Sequence, residues 1–305
     1  MPSFTVSVPA TTANIGPGFD CLGAALDRQN RVTLTLAGEQ DPPLTIQVTG
    51  RDAAQVSTQA DNLFYQAIAY FYQQYQQPIP LLKIDIDVQI PLARGLGSSA
   101  TAIVGGLVGA NALAGSPFNS DQLLQMAIAL EGHPDNVAPA LLGGCQLAVS
   151  DGDGWQLIPL PWPEEFVPVV VIPDFELSTE AARAVLPKQY GRGAAIFNAS
   201  HLALLMQAFN QKRGDWLALA LQDQIHQPYR QGLIPAYDLM HQAAIKAGAY
   251  NLVISGAGPT LLAIAAPENA ALVADQLTKT WQQAGITAES HCLSLDYQGA
   301  IVTQN

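Results

Sequence analysis

A loop rich in glycine and serine at residues 91–101 has the composition of an anion-binding site. The preceding residues 81–90 alternate apolar and polar side chains, which predicts a strand, and the apolar residues 100–114 predict a helix. The first turn of a helix leaves N–H donors unpaired and carries partial positive charge, and glycines let a ligand approach the backbone closely. The pattern therefore predicts a phosphate-binding loop that consists of Pro91, Leu92, Ala93, Arg94, Gly95, Leu96, Gly97, Ser98, Ser99, Ala100 and Thr101.

Two interpretations are open for the serines of this loop. The hydroxyls of Ser98 and Ser99 could donate to phosphate oxygens or bind Mg²⁺, a cation that keeps few protein ligands and several waters. Alternatively, one of them only caps the helix after a tight turn. The loop differs from the common nucleotide motifs, because no lysine follows the glycines and Gly95-Leu96-Gly97 is not completed to G-x-G-x-x-G.

Three other segments complete a family pattern. They are residues 6–23, VSVPATTANIGPGFDCLG; residues 131–144, EGHPDNVAPALLGG; and residues 255–260, SGAGPT. Together with the glycine and serine loop they resemble the GHMP kinases, which phosphorylate small-molecule hydroxyl groups with ATP. The resemblance extends over residues 6–264, nearly the whole chain, and implies ATP and Mg²⁺ as cofactors.

The length and the element pattern predict two domains. A chain of 305 residues is long for one core, and strands mixed with helices in the second half predict a two-layer α+β domain. Residues 151–163 look like a hairpin turn followed by a linker, so we expect an ATP-binding domain over 1–155 and a C-terminal domain over 156–305. The resemblance implies that the first is like the second domain of ribosomal protein S5 and that the second is ferredoxin-like.

Local signals around these motifs predict one loop and two helix starts. The glycines and proline at 16–18 predict an irregular loop over residues 9–23. Asp61 and Ser120 are predicted to cap the helices that follow them. Asn62 is either a polar contact for the nucleotide base or a second capping residue.

The family resemblance also implies roles for residues outside the phosphate loop. Glu131 is the candidate Mg²⁺ ligand, together with Ser98 or Ser99. The implied substrate is an amino acid with a side-chain hydroxyl, and polar residues match the substrate site of the family. They are Asn14, Asp20, His133, Asp135, Asn136, Arg183 and Arg230, with Gly256 and Gly258 as a supporting glycine loop.

A zwitterionic amino acid needs protein partners of both charges. Asp20 and Asn14 can bind the ammonium, and Arg183 and Arg230 can bind the carboxylate, because the planar fork of arginine matches a carboxylate. For Asp20 the alternative is a cap on a helical turn over residues 21–26. Whether any residue acts as a general base for the hydroxyl stays open, because a loose phosphoryl-transfer transition state gains little from early proton removal.

Composition limits the class of partner. The chain has 13 Lys and Arg against 25 Asp and Glu, and a net charge of −12 argues against a surface for nucleic acid or for an anionic membrane. The first residues show no pattern of a signal peptide. Residues 95–120 carry no charge, but glycines interrupt them, so they lack the ~20 predominantly apolar residues that a membrane span needs. Three widely spaced cysteines without a C-x-x-C predict neither a disulfide framework nor a zinc site, which fits a cytoplasmic protein.

Two alternatives to an amino-acid kinase stay open. A kinase of this family could act on another small alcohol such as mevalonate, which has a carboxylate but no amine. The chain could also be a catalytically inactive, ligand-binding member of the fold, although Ser98, Ser99 and Glu131 are all present. A homodimer is implied by the resemblance alone.

Overall fold

The computed structural model describes residues 2–152 and 154–305 and contains two β-sheets with helices packed on them, so the predicted α+β class is confirmed. The strands are β1 Ser3–Asn14, β2 Gly18–Leu36, β3 Leu44–Gly50, β4 Leu82–Val88, β5 Cys145–Ser150, β6 Trp155–Leu160, β7 Val167–Pro173, β8 Ala249–Ile254, β9 Leu261–Ala265, β10 Ala288–Cys292 and β11 Ile301–Gln304. The helices are α1 Leu63–Tyr75, α2 Ser98–Leu113, α3 Ser120–Glu131, α4 Pro134–Leu142, α5 Thr179–Ala184, α6 Arg192–Gln211, α7 Gly214–Ala220, α8 Gln227–Arg230, α9 Tyr237–Lys246 and α10 Pro267–Gln283.

The first sheet supports the helix that follows the phosphate loop. Its strand order is β11-β1-β2-β4-β3, with β5 paired to β2 and β6 paired to β5. Alternation along β4 buries Leu82 and Ile84 in one core with Phe64 of α1 and Val104 of α2. The apolar residues after the loop therefore form a core helix, and in the described ranges no helix is long and apolar enough to cross a membrane.

The second sheet consists of strands from the second half of the chain and packs against the first half. Its order is β10-β7-β9-β8, and all of its neighbouring strands are antiparallel. One face packs on α10 through Val169, Leu277 and Trp281. The other face contributes Val170 to a core that also contains Leu22 of β2. This shared core packs the second sheet against residues of the first half of the chain.

Residues 151–163 were predicted as a hairpin turn followed by a linker, but Trp155–Leu160 of this region form a strand. β6 pairs antiparallel with β5, from Cys145 opposite Leu160 to Ser150 opposite Trp155. Its Pro159 weakens the strand signal, but β6 is an edge strand, where a missing N–H is tolerated. The last strand, β11, returns to pair with β1. A domain boundary between residues 155 and 156 stays a prediction.

The predicted irregular loop over residues 9–23 is also wrong. β1 continues to Asn14 and β2 begins at Gly18, which leaves a turn of three residues between them. A register shift after Pro9 accommodates the missing N–H of proline inside the strand pair. Ala10 to Ala13 are completely buried small residues, so the segment shows no apolar and polar alternation from which a strand could be predicted.

Neither predicted helix cap is correct. The N-cap of α1 is Asn62, whose Oδ1 accepts hydrogen bonds from the backbone N–H groups of Phe64 and Tyr65, whereas Asp61 accepts from the Ser57 hydroxyl. The N-cap of α3 is Asn119, which forms a reciprocal capping box with Gln122. In both cases the capping side chain belongs to the residue adjacent to the predicted one.

Candidate active site

A cleft of about 520 Å³ gathers almost every predicted site residue. It is lined by the phosphate loop, by the start of α1, by the junction of α3 and α4, and by residues 177–183 and 256–258 of the second half. Three residues of the predicted loop do not line it: Pro91, Leu96 and Ala100 are buried behind the cleft wall. Both halves of the chain contribute residues to this cleft.

The phosphate loop has an unusual backbone that leads directly into α2. Ala93, Gly95 and Gly97 have φ values of +50°, +78° and +68°, the left-handed region that favours glycine. A Cβ on Gly97 would lie 1.9 Å from Oγ1 of Thr11, so a side chain there is excluded. Gly97 is also the N-cap of α2 and provides no side-chain cap. Capping by Ser98 or Ser99 is therefore wrong, and the first-turn N–H groups lack a side-chain cap.

The predicted supporting glycine loop lies against the phosphate loop. The Ser255 hydroxyl donates to the carbonyl of Gly95 at 2.7 Å, and the N–H of Gly256 donates to the carbonyl of Ala13 at 3.0 Å. The carbonyl of Gly256 in turn accepts from Nδ2 of Asn14 at 2.7 Å. These bonds link β1, the phosphate loop and the second sheet at one point.

A serine and a glutamate form a hydrogen bond at the N-terminus of α2. The Ser99 hydroxyl donates to Oε1 of Glu131, the last residue of α3, at 2.6 Å. Burial raises the pKa of Glu131, and the hydrogen bond from Ser99 and the charge of His133 act in the opposite direction. A partly buried carboxylate of this kind is stabilised by a cation, and one carboxylate with a hydroxyl matches the sparse protein ligand set of Mg²⁺.

The described residues contain no group of three or more His, Cys, Asp or Glu side chains that could hold a metal ion. A closed site of zinc type is therefore not formed in this part of the chain. The residues fit a cation that takes its other ligands from phosphate oxygens and water.

A short hydrogen-bonded chain starts at His133 beside this pair. Nδ1 of His133 lies 2.5 Å from Oδ1 of Asp135, and Asn136 accepts at Oδ1 from the Thr11 hydroxyl at 2.7 Å. Burial acts to lower the pKa of His133, but the hydrogen bond and charge of Asp135, with the charge of Glu131, raise it above its usual value. The carboxylate of Asp135 is thus already engaged with the imidazole of His133.

The charged residues predicted for the substrate line the same cleft. Arg183 donates to both oxygens of Asp20, at 3.0 and 2.8 Å, and both side chains are about one third exposed. Asp20 therefore has a cationic partner before any substrate binds. Asn14 orients this aspartate, because its Oδ1 accepts from the Asp20 N–H at 2.9 Å. A direct contact of Asn14 with substrate stays a prediction.

Arg230 is a buried cation with neutral partners. Its side chain is 1% exposed, and in the described part of the chain it donates to the carbonyls of Ala182 and Gly256 at 3.0 and 3.1 Å and lies 3.5 Å from Nδ1 of His226. Burial lowers the pKa of His226, and burial followed by the charge of Arg183 lowers the pKa of Arg230. A guanidinium remains charged even so, and Arg230 lines the cleft. Its predicted role in binding the substrate carboxylate stays a prediction.

Sequence reasoning did not identify Phe19. The guanidinium carbons of Arg183 and Arg230 lie 5.8 and 5.1 Å from the centre of its ring, and His226 stacks on it at 5.2 Å. Its only signal was its place in the PGFD string, between a turn and a candidate site residue. Asn62 likewise lines the cleft, but its side chain is used in capping α1, which confirms the capping interpretation.

The fold and this cleft define a class of small-molecule kinase. The chain belongs to the GHMP kinase family: residues 62–144 match the family model "GHMP kinases N terminal domain" and residues 205–283 match "GHMP kinases C terminal". The predicted two-domain GHMP kinase architecture is thereby confirmed.

Within that family, the similarity is to homoserine kinases. The homoserine kinase of Synechocystis sp. is 71% identical over 304 residues, which cover 100% of this chain and 99% of that protein. The homoserine kinase of Microchaete diplosiphon is 57% identical, with 98% and 96% of the two chains covered. A crystal structure of homoserine kinase from Cytophaga hutchinsonii superposes with a TM-score of 0.89 at 29% identity, covering 99% of this chain and 97% of that one.

Proposed function

We propose that this chain transfers the γ-phosphate of ATP to the side-chain hydroxyl of L-homoserine and forms O-phospho-L-homoserine, a step of threonine biosynthesis. The observation that carries this proposal is the 71% identity to a homoserine kinase over the complete chain. The cleft supports it independently, because an acidic side chain and two arginines face the space beside the phosphate loop.

The phosphate loop and α2 perform the nucleotide part of the reaction. Phosphoryl transfer depends mainly on positioning and on neutralising charge on the phosphates. The uncapped N–H groups at Gly97 and Ser98 and the partial positive charge of the helix serve both needs. Glu131 and Ser98 or Ser99 would hold Mg²⁺, which supplies further charge neutralisation when it is bound.

The charged residues of the cleft bind the ammonium and the carboxylate of the amino acid. The buried guanidinium of Arg230 receives the substrate carboxylate, and Arg183 can join it by turning from Asp20. The carboxylate of Asp20 then pairs with the substrate ammonium, so each charge keeps a partner throughout. Asn136 and the pair of His133 and Asp135 line the same cleft and would orient the hydroxyl.

Turnover with a panel of alcohols tests this function. ADP release should be measured with L-homoserine, L-serine, L-threonine and mevalonate at equal ATP concentration. We expect the highest kcat/KM with L-homoserine, because serine has a shorter chain and mevalonate leaves Asp20 without an ammonium. Preference for mevalonate would support the alternative substrate, and the absence of turnover with all four would support the inactive ligand-binding alternative.

Replacing Glu131 with glutamine tests the metal assignment. The amide keeps the shape but loses the charge that holds a cation, so we expect a higher Mg²⁺ concentration for half-maximal activity and a lower kcat. The KM for L-homoserine should change little. The control is Glu165→Gln, which alters an exposed carboxylate paired with Lys212. If Glu131→Gln has the Mg²⁺ dependence of this control, Glu131 is not the ligand.

We further propose a cytoplasmic homodimer. The compartment is supported by the three cysteines, all of which are free thiols: Cys21, Cys145 and Cys292. Burial raises the pKa of Cys145 to about 12 and, together with nearby carboxylates, that of Cys21 to about 11, so both stay protonated and unreactive at neutral pH. The dimer rests on the family resemblance.

A further inference from the structure

Arg94 stands in the phosphate loop, but its side chain is used within the protein. The residue is 8% exposed, and its guanidinium donates to the carbonyls of Leu92, Pro173 and Asp174 at 2.9, 3.1 and 2.9 Å. Its Nη1 also lies 3.2 Å from Oε1 of Glu176. The fork of one arginine therefore joins the phosphate loop to the segment that follows β7.

Backbone bonds reinforce the same connection. The N–H of Leu177 donates to the carbonyl of Ala93 at 3.3 Å, and the N–H of Thr260 donates to the carbonyl of Arg94 at 3.1 Å. Ala93 has a φ of +50°, a conformation that an alanine keeps only where surrounding contacts impose it. Arg94 bonds to the carbonyl of Leu92 and Leu177 bonds to the carbonyl of Ala93, so both peptide groups that flank the Ala93 Cα are held in place.

The segment joined in this way leads to the residues that are proposed to bind the substrate carboxylate. Ser178 caps α5, and this short helix carries Arg183 at its end. The carbonyl of Ala182 accepts from Nε of Arg230, so both arginines of the substrate site are connected to α5. Movement of residues 173–178 relative to the phosphate loop would displace the groups that bind the substrate carboxylate.

We propose that Arg94 is a positioning residue that couples the nucleotide loop to the substrate-binding segment, so that nucleotide and amino acid bind with positive cooperativity. The inference rests on the proposed function, because it takes L-homoserine as the second ligand. A nucleotide that orders residues 93–97 also orders residues 173–183 through this guanidinium, and the amino acid then binds a site that is already organised.

Calorimetric titration of L-homoserine, with and without saturating Mg²⁺ and a non-hydrolysable ATP analogue, measures this coupling. In the wild-type protein we expect the analogue to lower the Kd for L-homoserine by about fivefold or more. In Arg94→Met the ratio of the two Kd values should fall below about twofold. Arg94→Lys should behave similarly, because one ammonium cannot serve three carbonyls in the geometry of the guanidinium fork.

Two controls separate coupling from a general loss of stability. Arg51→Met removes another ion pair between the two sheets, with Glu289, and should keep the wild-type ratio even if it melts earlier. Glu176→Gln removes the half-exposed partner of Arg94 while leaving the carbonyl bonds, and should also keep it. If Arg94→Met does not fold, Arg94→Lys carries the test.

Three results for the ratio of the two Kd values would overturn the inference alone. They are a wild-type ratio near one, a wild-type ratio retained in a folded Arg94 variant, and an equal loss of the ratio in Arg51→Met. A wild-type protein that binds the nucleotide analogue but not L-homoserine overturns the proposed function together with the inference. Binding of both ligands without coupling overturns the inference alone.

Discussion

Arg230→Met is expected to lower kcat/KM for L-homoserine by on the order of a hundredfold or more, with the KM for ATP nearly unchanged. Arg230 is 1% exposed, and in the described residues its hydrogen bonds go to two carbonyls and to Nδ1 of His226. Asp20, Asp135 and Asp223 act on its charge without a hydrogen bond, so the incoming carboxylate would be its directly bonded anion. Truncating one member of a buried, hydrogen-bonded charge pair costs about 2–5 kcal/mol, and about 1.4 kcal/mol is a factor of ten. Steady-state kinetics with each substrate varied in turn measures the effect.

A merely structural role for Arg230 predicts a different result. Its bonds to the carbonyls of Ala182 and Gly256 are lost as well, so the melting temperature should be recorded for each variant. Aminopropanol, which is homoserine without its carboxylate, should be phosphorylated equally slowly by the wild type and by Arg230→Met. Arg213→Met, in an exposed ion pair with Asp215, is the control. An equal loss with both substrates would remove Arg230 from the carboxylate site.

Asp20→Asn should reduce kcat/KM for L-homoserine by on the order of tenfold to a hundredfold, because a hydrogen bond to a charged group contributes roughly 1.5–3 kcal/mol. The change keeps the shape of the side chain and removes the charge that compensates the substrate ammonium. It also removes one of the two oxygens that accept from Arg183 and weakens the hold on this arginine. Hydroxybutanoate, which lacks the amine, should therefore be used at least as well by the variant as by the wild type.

The preference for L-homoserine over hydroxybutanoate is thus the decisive measurement for Asp20. Asp215→Asn alters the exposed pair with Arg213 and should leave the preference unchanged. The alternative in which Asp20 caps a helical turn over residues 21–26 is wrong, because those residues belong to β2. If Asp20→Asn keeps the full wild-type preference, Asp20 does not bind the ammonium and the case for homoserine over mevalonate weakens.

Elements with a strong local signal could be predicted from the sequence. β4 was predicted from alternation and α2 from its apolar composition, each to within a few residues of its observed bounds. The elements that escaped prediction had no such pattern. β6 is a proline-containing edge strand, and the extension of β1 to Asn14 consists of small buried residues.

The sequence by itself determined the strand, the glycine loop and the helix of the predicted phosphate site, because alternation, glycines and an apolar run are local features. The exclusion of a side chain at Gly97 depends on Thr11, which the tertiary structure brings next to it. Only the tertiary structure decided the partners of the charged groups. Asp20 and Arg183 are 163 residues apart in the chain yet form an ion pair, and Arg94 donates to carbonyls about 80 residues away. A charge pattern does not reveal such partners, because the distance between two side chains depends on how the two sheets pack through their shared core.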